Sequence, residues 1–80
     1  MIRILLFAEL EEAIGQREIE LTKTNEQLSV GAIRKILAAD YPKLKGISRA
    51  MVAVNEEFAE DKQLVHEGDL VAFIPPVSGG

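Results

Sequence analysis

Two apolar segments, one at each end of the chain, constrain its fold more than any other feature. Ile2 to Ala8, apart from Arg3, and Leu70 to Ile74 contain only apolar residues and no turn former. Runs of this kind are typical of strands that are buried on both faces. A chain of 80 residues has room for one small core. We therefore expect the two strands to pair side by side and in parallel at the centre of a single sheet.

The residues between these strands predict a long helix and further strands. Val30 to Asp40 carries apolar residues at three- and four-residue spacing, follows Ser29, whose hydroxyl can cap the first amides, and stops before Pro42. Arg17 to Thr22 alternates polar and apolar residues, as a strand with one solvated face does. The sequence also predicts shorter elements: a helix over Glu9–Ile14 closed by Gly15, a loop over Lys43–Arg49, a strand over Ala50–Asn55 and a short piece around Phe58.

The order of these elements favours an α+β fold in which a mixed sheet packs on one long helix. On that helix, Arg34, Lys35 and Asp40 are expected to point to water. The predicted core combines the inward strand positions with the apolar stripe of the helix: Ile4, Leu6, Leu21, Val30, Ile33, Leu37, Val52, Val54, Val71 and Phe73.

One long helix covers only one face of a sheet, so the other face should stay partly exposed. If Ile4 and Leu6 face the helix, alternation along the strand places Leu5 and Phe7 on the far side. The same rule places Ile74 there. An exposed apolar patch on a small protein marks a binding surface more often than an accident. We therefore predict that Leu5, Phe7 and Ile74 form a partner interface, with acidic residues at its rim.

The composition argues against several classes of function. The chain has no cysteine and a single histidine, His66, so the usual sulfur and nitrogen ligands of a metal site are missing and we expect no bound metal. His66 lies in a charged, turn-like stretch and should be solvated. A net charge of −4 disfavours binding to nucleic acid. The first residues lack a basic region followed by a long apolar stretch, which predicts a cytoplasmic protein without a membrane segment.

The chain closes on Pro75-Pro76-Val77-Ser78-Gly79-Gly80. Prolines favour an extended path away from the last strand, and glycines, which lack Cβ atoms, fit a narrow channel. The carboxylate of Gly80 is an anion at neutral pH and a poor electrophile, so it has to be activated. An acyl-adenylate would then react with an amine, a thiol or a sulfide donor. Because the chain offers no base, oxyanion hole or metal for these steps, we expect partner proteins to supply the chemistry.

The closing residues, Gly68 to Gly80, resemble the terminal signature of the small subunits of molybdopterin synthase, a family of ubiquitin-like β-grasp sulfur carriers. Ile2 to Ala8 and Val52 to Asn55 resemble the same family, so the likeness covers essentially the whole chain. The final Gly-Gly is shared by many ubiquitin-like proteins. The preceding stretch, Ala72 to Val77, is much more specific to this family.

The resemblance implies both an architecture and a function. It implies a β-grasp domain over residues 1–74 and a flexible tail over residues 75–80. In that family an adenylating enzyme activates the terminal glycine with ATP, sulfur is installed as a thiocarboxylate, and the tail enters the large subunit to convert cyclic pyranopterin monophosphate into molybdopterin. By resemblance, Gly80 carries the sulfur, and the residues that thread the channel are Pro75, Pro76, Val77, Ser78 and Gly79.

The partners implied by the resemblance are the large synthase subunit, in a heterotetramer, a ubiquitin-activating-like adenylyltransferase and a sulfur donor. The chain itself would hold no cofactor and would catalyse nothing alone. Three other functions fit the sequence. The sulfur carrier of thiamine synthesis shares the fold and the diglycine but usually lacks the double proline. A ubiquitin-like modifier would join Gly80 to lysines, and a plain interaction domain would carry an inert tail.

Overall fold

The structure is a computed structural model that describes residues 1–22 and 27–76. Within these residues no helix is long and apolar enough to cross a membrane. The described helices and strands follow in chain order: β1 (Ile2–Leu6), α1 (Glu9–Ile14), β2 (Glu18–Leu21), β3 (Leu28–Ser29), α2 (Val30–Asp40), β4 (Met51–Val54), β5 (Glu57–Ala59), β6 (Leu64–Val65) and β7 (Leu70–Ile74).

The main sheet has the strand order β2-β1-β7-β4-β5. β1 and β7 run parallel, whereas the other neighbouring strands are antiparallel. The prediction that the first and last strands pair in parallel at the centre is therefore confirmed. The prediction that both are buried on two faces is wrong. The core lies on the α2 side of the sheet only, and on the other side Arg3 is exposed and Leu5 is half-buried.

Both helices begin and end at the predicted residues. Ser29 caps α2, because its Oγ accepts a hydrogen bond from the Ala32 amide at 3.1 Å. α1 ends at Gly15, which has a φ of 73° and donates its N–H to the carbonyl oxygen of Glu11 at 2.9 Å. A left-handed residue at this place favours glycine. α1 is anchored by Leu10, whose side chain is buried in the core.

A second, two-stranded sheet joins β3 to β6 in antiparallel fashion. The sequence did not predict this sheet, because strands of two residues have no periodicity to recognise. Near it, Val30 donates its N–H to the carbonyl oxygen of Gln63 at 2.9 Å, and Gly31 donates to that of Asp61 at 3.0 Å. These bonds satisfy amides at the start of α2 that have no partner within the helix.

The core lies between α2 and the facing side of the main sheet. The predicted core residues are buried with one exception. Leu21, at the end of the edge strand β2, is half-buried and packs against the core instead of within it. The core also contains buried hydrophobic residues outside the predicted set: Ile2, Leu10, Ile19, Leu44, Ile47, Ala50 and Val65.

Two of these additional core residues come from the segment predicted as a loop. Leu44 and Ile47 are both almost fully buried. The loop is folded tightly enough to direct them inward, since Leu44 donates its N–H to the carbonyl oxygen of Tyr41 at 2.9 Å and Ile47 donates to that of Leu44 at 3.2 Å. The segment after α2 is thus irregular in backbone but forms one side of the core.

Arg34 corrects the expectation that its side chain points to water, because the side chain is only 15% exposed. Nη1 donates to the carbonyl oxygens of Ile47 and Ala50 at 2.7 and 2.8 Å, and Nη2 donates to the carboxylate of Asp61 at 2.8 Å, whereas Nε is buried without a hydrogen-bond partner. The guanidinium carbon lies 5.8 Å from the centre of the Phe73 ring, within the range of a cation–π contact. Its aliphatic stem can cover apolar surface while the head stays hydrogen-bonded.

Candidate functional site

The tail leaves the domain from the middle strand of the main sheet. Ile74 ends β7 and is half-buried, as is Pro75, whereas Pro76 is exposed. The end of the strand is held by the Phe7 amide, which donates to the carbonyl oxygen of Phe73 at 3.3 Å. The end of β7 is therefore bonded to the residue that follows β1, at the point where the chain leaves the sheet.

Four of the predicted site residues, Val77, Ser78, Gly79 and Gly80, lie outside the described residues. Their roles as the sulfur-bearing and channel-threading positions stay predictions, as does the boundary between a domain ending at residue 74 and a tail of residues 75–80.

The predicted interface residues lie on the side of the main sheet away from α2. Phe7 is 41% exposed, and Leu5 and Ile74 are half-buried. The exposed apolar surface is larger than predicted, since Met51 is 47% exposed and Phe58 is 71% exposed. We call the outer apolar face the surface formed by these residues and the two alanines between them: Leu5, Phe7, Met51, Ala53, Phe58, Ala72 and Ile74.

Strand register explains how the outer apolar face is assembled. Leu5 lies opposite Ala72, which lies opposite Ala53, which in turn lies opposite Phe58. This row crosses β1, β7, β4 and β5. Ile74 lies opposite Met51 in a second row nearer the tail. Alternation along β4 could have predicted that Met51 points outward. Its place beside Ile74 could not be predicted, because the sequence pattern did not show that β4 pairs with β7.

One ion pair borders the outer apolar face. Arg3 donates from Nε to the Glu18 carboxylate at 2.8 Å and from Nη2 at 3.3 Å. This hydrogen bonding, with the attraction between the charges, lowers the pKa of Glu18 and raises the pKa of Arg3. Both side chains are substantially exposed, so solvent screens the pair and its contribution to stability is small.

A hydrogen-bonded corner closes the opposite end of β7. The Asp69 carboxylate accepts from the His66 amide at 2.8 Å and from the side-chain amide of Asn55 at 3.1 Å. These bonds, with that of the His66 amide the largest, hold the pKa of Asp69 below its usual range. The His66 side chain is exposed, so the expected solvated loop histidine is confirmed. This hydrogen-bonded corner lies before β7, whereas the tail follows β7. The corner and the tail root are therefore at opposite ends of the strand.

Beside the root of the tail is an open cleft lined by α1, the loop after α2 and the two prolines. Its polar lining includes Lys43, Lys45 and Arg49. In residues 1–22 and 27–76, no three histidine, cysteine or acidic side chains come together as metal ligands would. The lining of this cleft combines three cations and one carboxylate, Glu9, with apolar side chains.

Sequence comparison identifies the family of the chain. The family model described as "ThiS family" matches residues 4–80, which is nearly the full length. The chain belongs to this family. Its relatives in the ThiS family include the molybdopterin synthase sulfur carrier subunit of Dictyostelium discoideum, with 38% identity over 98% of this chain and 94% of that protein. The subunit of the same name from Escherichia coli is 31% identical and is covered in full.

Solved structures agree with this assignment. The small archaeal modifier protein 1 of Haloferax volcanii superimposes with a TM-score of 0.81 at 28% identity, over 95% of this chain and 97% of that one. The putative molybdopterin converting factor subunit 1 of Pyrococcus furiosus, at 21% identity, has a TM-score of 0.81 over 95% of this chain and 97% of that one, and shows the likeness of fold alone. The predicted β-grasp fold and the resemblance to the small subunits of molybdopterin synthase are confirmed.

Proposed function

We propose that this chain is the sulfur-carrier subunit of a molybdopterin synthase. The observation that carries the proposal is the near full-length similarity to proteins named molybdopterin synthase sulfur carrier subunits, at 38% identity for the Dictyostelium discoideum protein. The family match extends to residue 80 and so includes the diglycine. A tail rooted in the central strand gives the chain a way to present that diglycine to another protein.

The proposed reaction begins at the carboxylate of Gly80. One carboxylate oxygen attacks the α-phosphate of ATP, which releases pyrophosphate and leaves a glycyl adenylate. A sulfide donor then attacks the carbonyl carbon, AMP leaves with the bonding electrons, and the product is a thiocarboxylate. In the synthase this sulfur is transferred to cyclic pyranopterin monophosphate, and the glycyl carboxylate is regenerated with an oxygen from water.

Partner proteins supply the catalytic groups for these steps. The adenylating enzyme binds ATP, the large synthase subunit binds the pterin, and the carrier contributes its tail and a docking surface. The carrier itself holds no cofactor in this scheme, and the assembly is a cytoplasmic heterotetramer. Phe7, Leu5 and Ile74 are proposed as docking residues because they lie on the outer apolar face beside the tail root.

Intact-mass measurement tests the assignment of Gly80. After incubation with ATP, the adenylating enzyme and a sulfur source, the mass should rise by the difference between sulfur and oxygen, localised to the last residue. A variant with one residue added after Gly80 should fold normally and remain unmodified. Sulfur found at another residue, or modification of the extended variant, would contradict the proposal.

A second candidate function is conjugation to other proteins. The likeness to a protein named small archaeal modifier protein 1, at 28% identity, favours this candidate. Both functions begin with the same glycyl adenylate and differ in the nucleophile, which is sulfide for a carrier and a lysine amine for a modifier. A tagged chain expressed in cells whose synthase large subunit is deleted would form isopeptide adducts at Gly80 only if it is a modifier. A third candidate is the sulfur carrier of thiamine synthesis. Detecting a thiocarboxylate at Gly80 would not distinguish it from the molybdopterin synthase carrier, because both would form this group.

A further inference from the structure

The residue before α1 has a backbone conformation that alanine rarely adopts. Ala8 has a φ of 51° and a ψ of −124°, close to the first central position of a type II′ turn. The Leu10 amide closes this turn by donating to the carbonyl oxygen of Phe7 at 3.0 Å. Glycine is favoured at such a position, because the Cβ of any other L-residue meets backbone atoms there. Ala8 is also exposed, so burial of its side chain does not offset the strain.

α1 has few bonds to the rest of the molecule. Ala8, its N-cap residue, provides no side-chain hydrogen bond to the helix. Among the residues that the structure describes, no hydrogen bond or ion pair joins residues 8–15 to a residue outside 7–17. A helix of six residues is too short to be stable alone. Its attachment is therefore apolar and depends mainly on Leu10, which is buried, with Ala13 and Ile14 half-buried against the core.

The position of α1 is beside the root of the tail. Leu10 packs against the loop that follows α2, since a Cβ added to Gly46 would lie 3.9 Å from the Leu10 Cδ2 atom. On its outer side, α1 lines the same cleft as Pro75 and Pro76. One side of the cleft beside the tail root is thus formed by the short, weakly attached helix that follows the strained turn.

We propose that α1 is a strained lid, which opens as a unit while the main sheet and α2 stay folded. Closing the lid buries Leu10 but orders the residues of α1 and imposes the strain at Ala8. A segment with so few buried contacts opens at a lower free energy than the core. Opening removes one side of the cleft at Pro75 and Pro76, so the tail root has two states. The inference goes beyond the proposed function, because it concerns the chain alone and holds whichever reaction the tail undergoes.

Hydrogen exchange of a matched pair of stereochemical variants tests the lid. Chains made by chemical synthesis carry either Ala8→D-Ala or Glu56→D-Glu. Both positions are exposed and have a positive φ, 51° and 74°, which D-residues adopt without strain. Each substitution therefore removes strain and leaves the composition unchanged. Glu56 follows β4 and lies near the start of β7, whereas α1 lies near its end, so the turn at Glu56 stays folded when the lid opens.

The two variants should differ in which amides they protect. In wild type, we expect the amides of residues 12–15 to be protected at least about tenfold less than those in the middle of α2. Ala8→D-Ala should raise the protection of the α1 amides about fivefold or more, since relief of the strain favours the closed lid over the open one. Glu56→D-Glu should raise the protection of α2, which exchanges through global unfolding, and leave α1 within about twofold of wild type.

Each of the other outcomes contradicts the lid. Equal protection of α1 and α2, or an equal response of α1 to both substitutions, would show that α1 opens only with the whole domain. Unchanged protection of α1 in Ala8→D-Ala would show that the turn carries no strain. A chain with Ala8→D-Ala that fails to fold, as judged by thermal melting, would contradict the positive φ at Ala8. The mass measurement that tests the proposed function plays no part here, so the two proposals can fail separately.

Discussion

The side chain of Arg34 joins three segments of the fold. It holds two carbonyl oxygens of the loop before β4 and the carboxylate of Asp61 after β5, while its own backbone belongs to α2. Helical periodicity placed Arg34 off the apolar stripe, and that position is correct. The sequence could not show that its guanidinium has partners, because those partners come from residues 13 to 27 positions further along the chain.

Replacing Arg34 by methionine keeps most of the aliphatic stem and removes the hydrogen bonds. The carbonyl oxygens of Ile47 and Ala50 would then lose a charged donor, so we expect the free energy of unfolding to fall by about 2 to 3 kcal/mol. Urea denaturation measures this loss. The control is Lys35→Met at an exposed position on the same helix, for which we expect a change within about 0.5 kcal/mol. Equal midpoints for the two variants would show that the Arg34 bonds contribute nothing.

Asp69 predicts a pH dependence of stability. Its folded-state pKa lies below the unfolded value, so the stabilisation from the ionised carboxylate is complete above the unfolded pKa of about 3.9 and is lost as pH falls through the folded pKa. Asp69→Asn should therefore be less stable than wild type at pH 7, and the gap should narrow below about pH 4. Thermal melts from pH 7 to pH 2 measure it, with Asp40→Asn at an exposed helix position as the control. A gap that is independent of pH would refute this role of the charge.

The elements with strong periodicity were predictable, and the irregular ones were not. Both helices and the long strands follow from apolar spacing and from the residues that cap or end the helices, such as Ser29 and Gly15. β3 and β6 were not predicted because a strand of two residues shows no period. The burial of Leu44 and Ile47 was not predicted because a loop has no periodic pattern. Only the folded chain shows which apolar residues of the loop face inward.

Leu44 therefore provides a test at the scale of elements. Although Leu44 lies in a loop, its burial matches that of Leu37 in α2, so we expect Leu44→Ala and Leu37→Ala each to reduce the free energy of unfolding by about 2 to 5 kcal/mol. Chemical denaturation gives both values. Lys43→Ala, at the exposed neighbouring position, should change stability by less than about 0.5 kcal/mol. A cost for Leu44→Ala as small as for Lys43→Ala would mean that the loop contributes little to the core.

At the scale of the whole molecule, the core and the predicted docking surface lie on opposite sides of the main sheet. α2 and the core occupy one side of the main sheet, and the outer apolar face occupies the other. The sequence predicted part of this face from alternation along single strands. The rest, Met51 and Phe58, became visible only once β4 and β5 were placed beside β7. The reactive tip of the tail could be proposed from the sequence and lies outside the described residues.

Ile74→Asp tests the outer apolar face. We expect this variant to fold, because Ile74 is only half-buried, and to lose at least about 2 kcal/mol of binding free energy towards both the adenylating enzyme and the large subunit. Titration calorimetry measures both complexes. The matched control is Leu64→Asp, an exposed leucine of the second sheet, 46% exposed. Unchanged affinity of Ile74→Asp for both partners, or equal losses in the control, would remove this face from the mechanism.

The position of β7 also determines how the domain bears mechanical load. A force applied to the tail would act along β7, which is bonded on one side to β1 and on the other to β4. The hydrogen bonds between these strands lie across the direction of the force, so many of them carry the load together. In an edge strand pulled away sideways, the bonds would instead break one after another. For a force applied through the tail, we therefore expect this domain to resist unfolding better than a domain whose tail follows an edge strand.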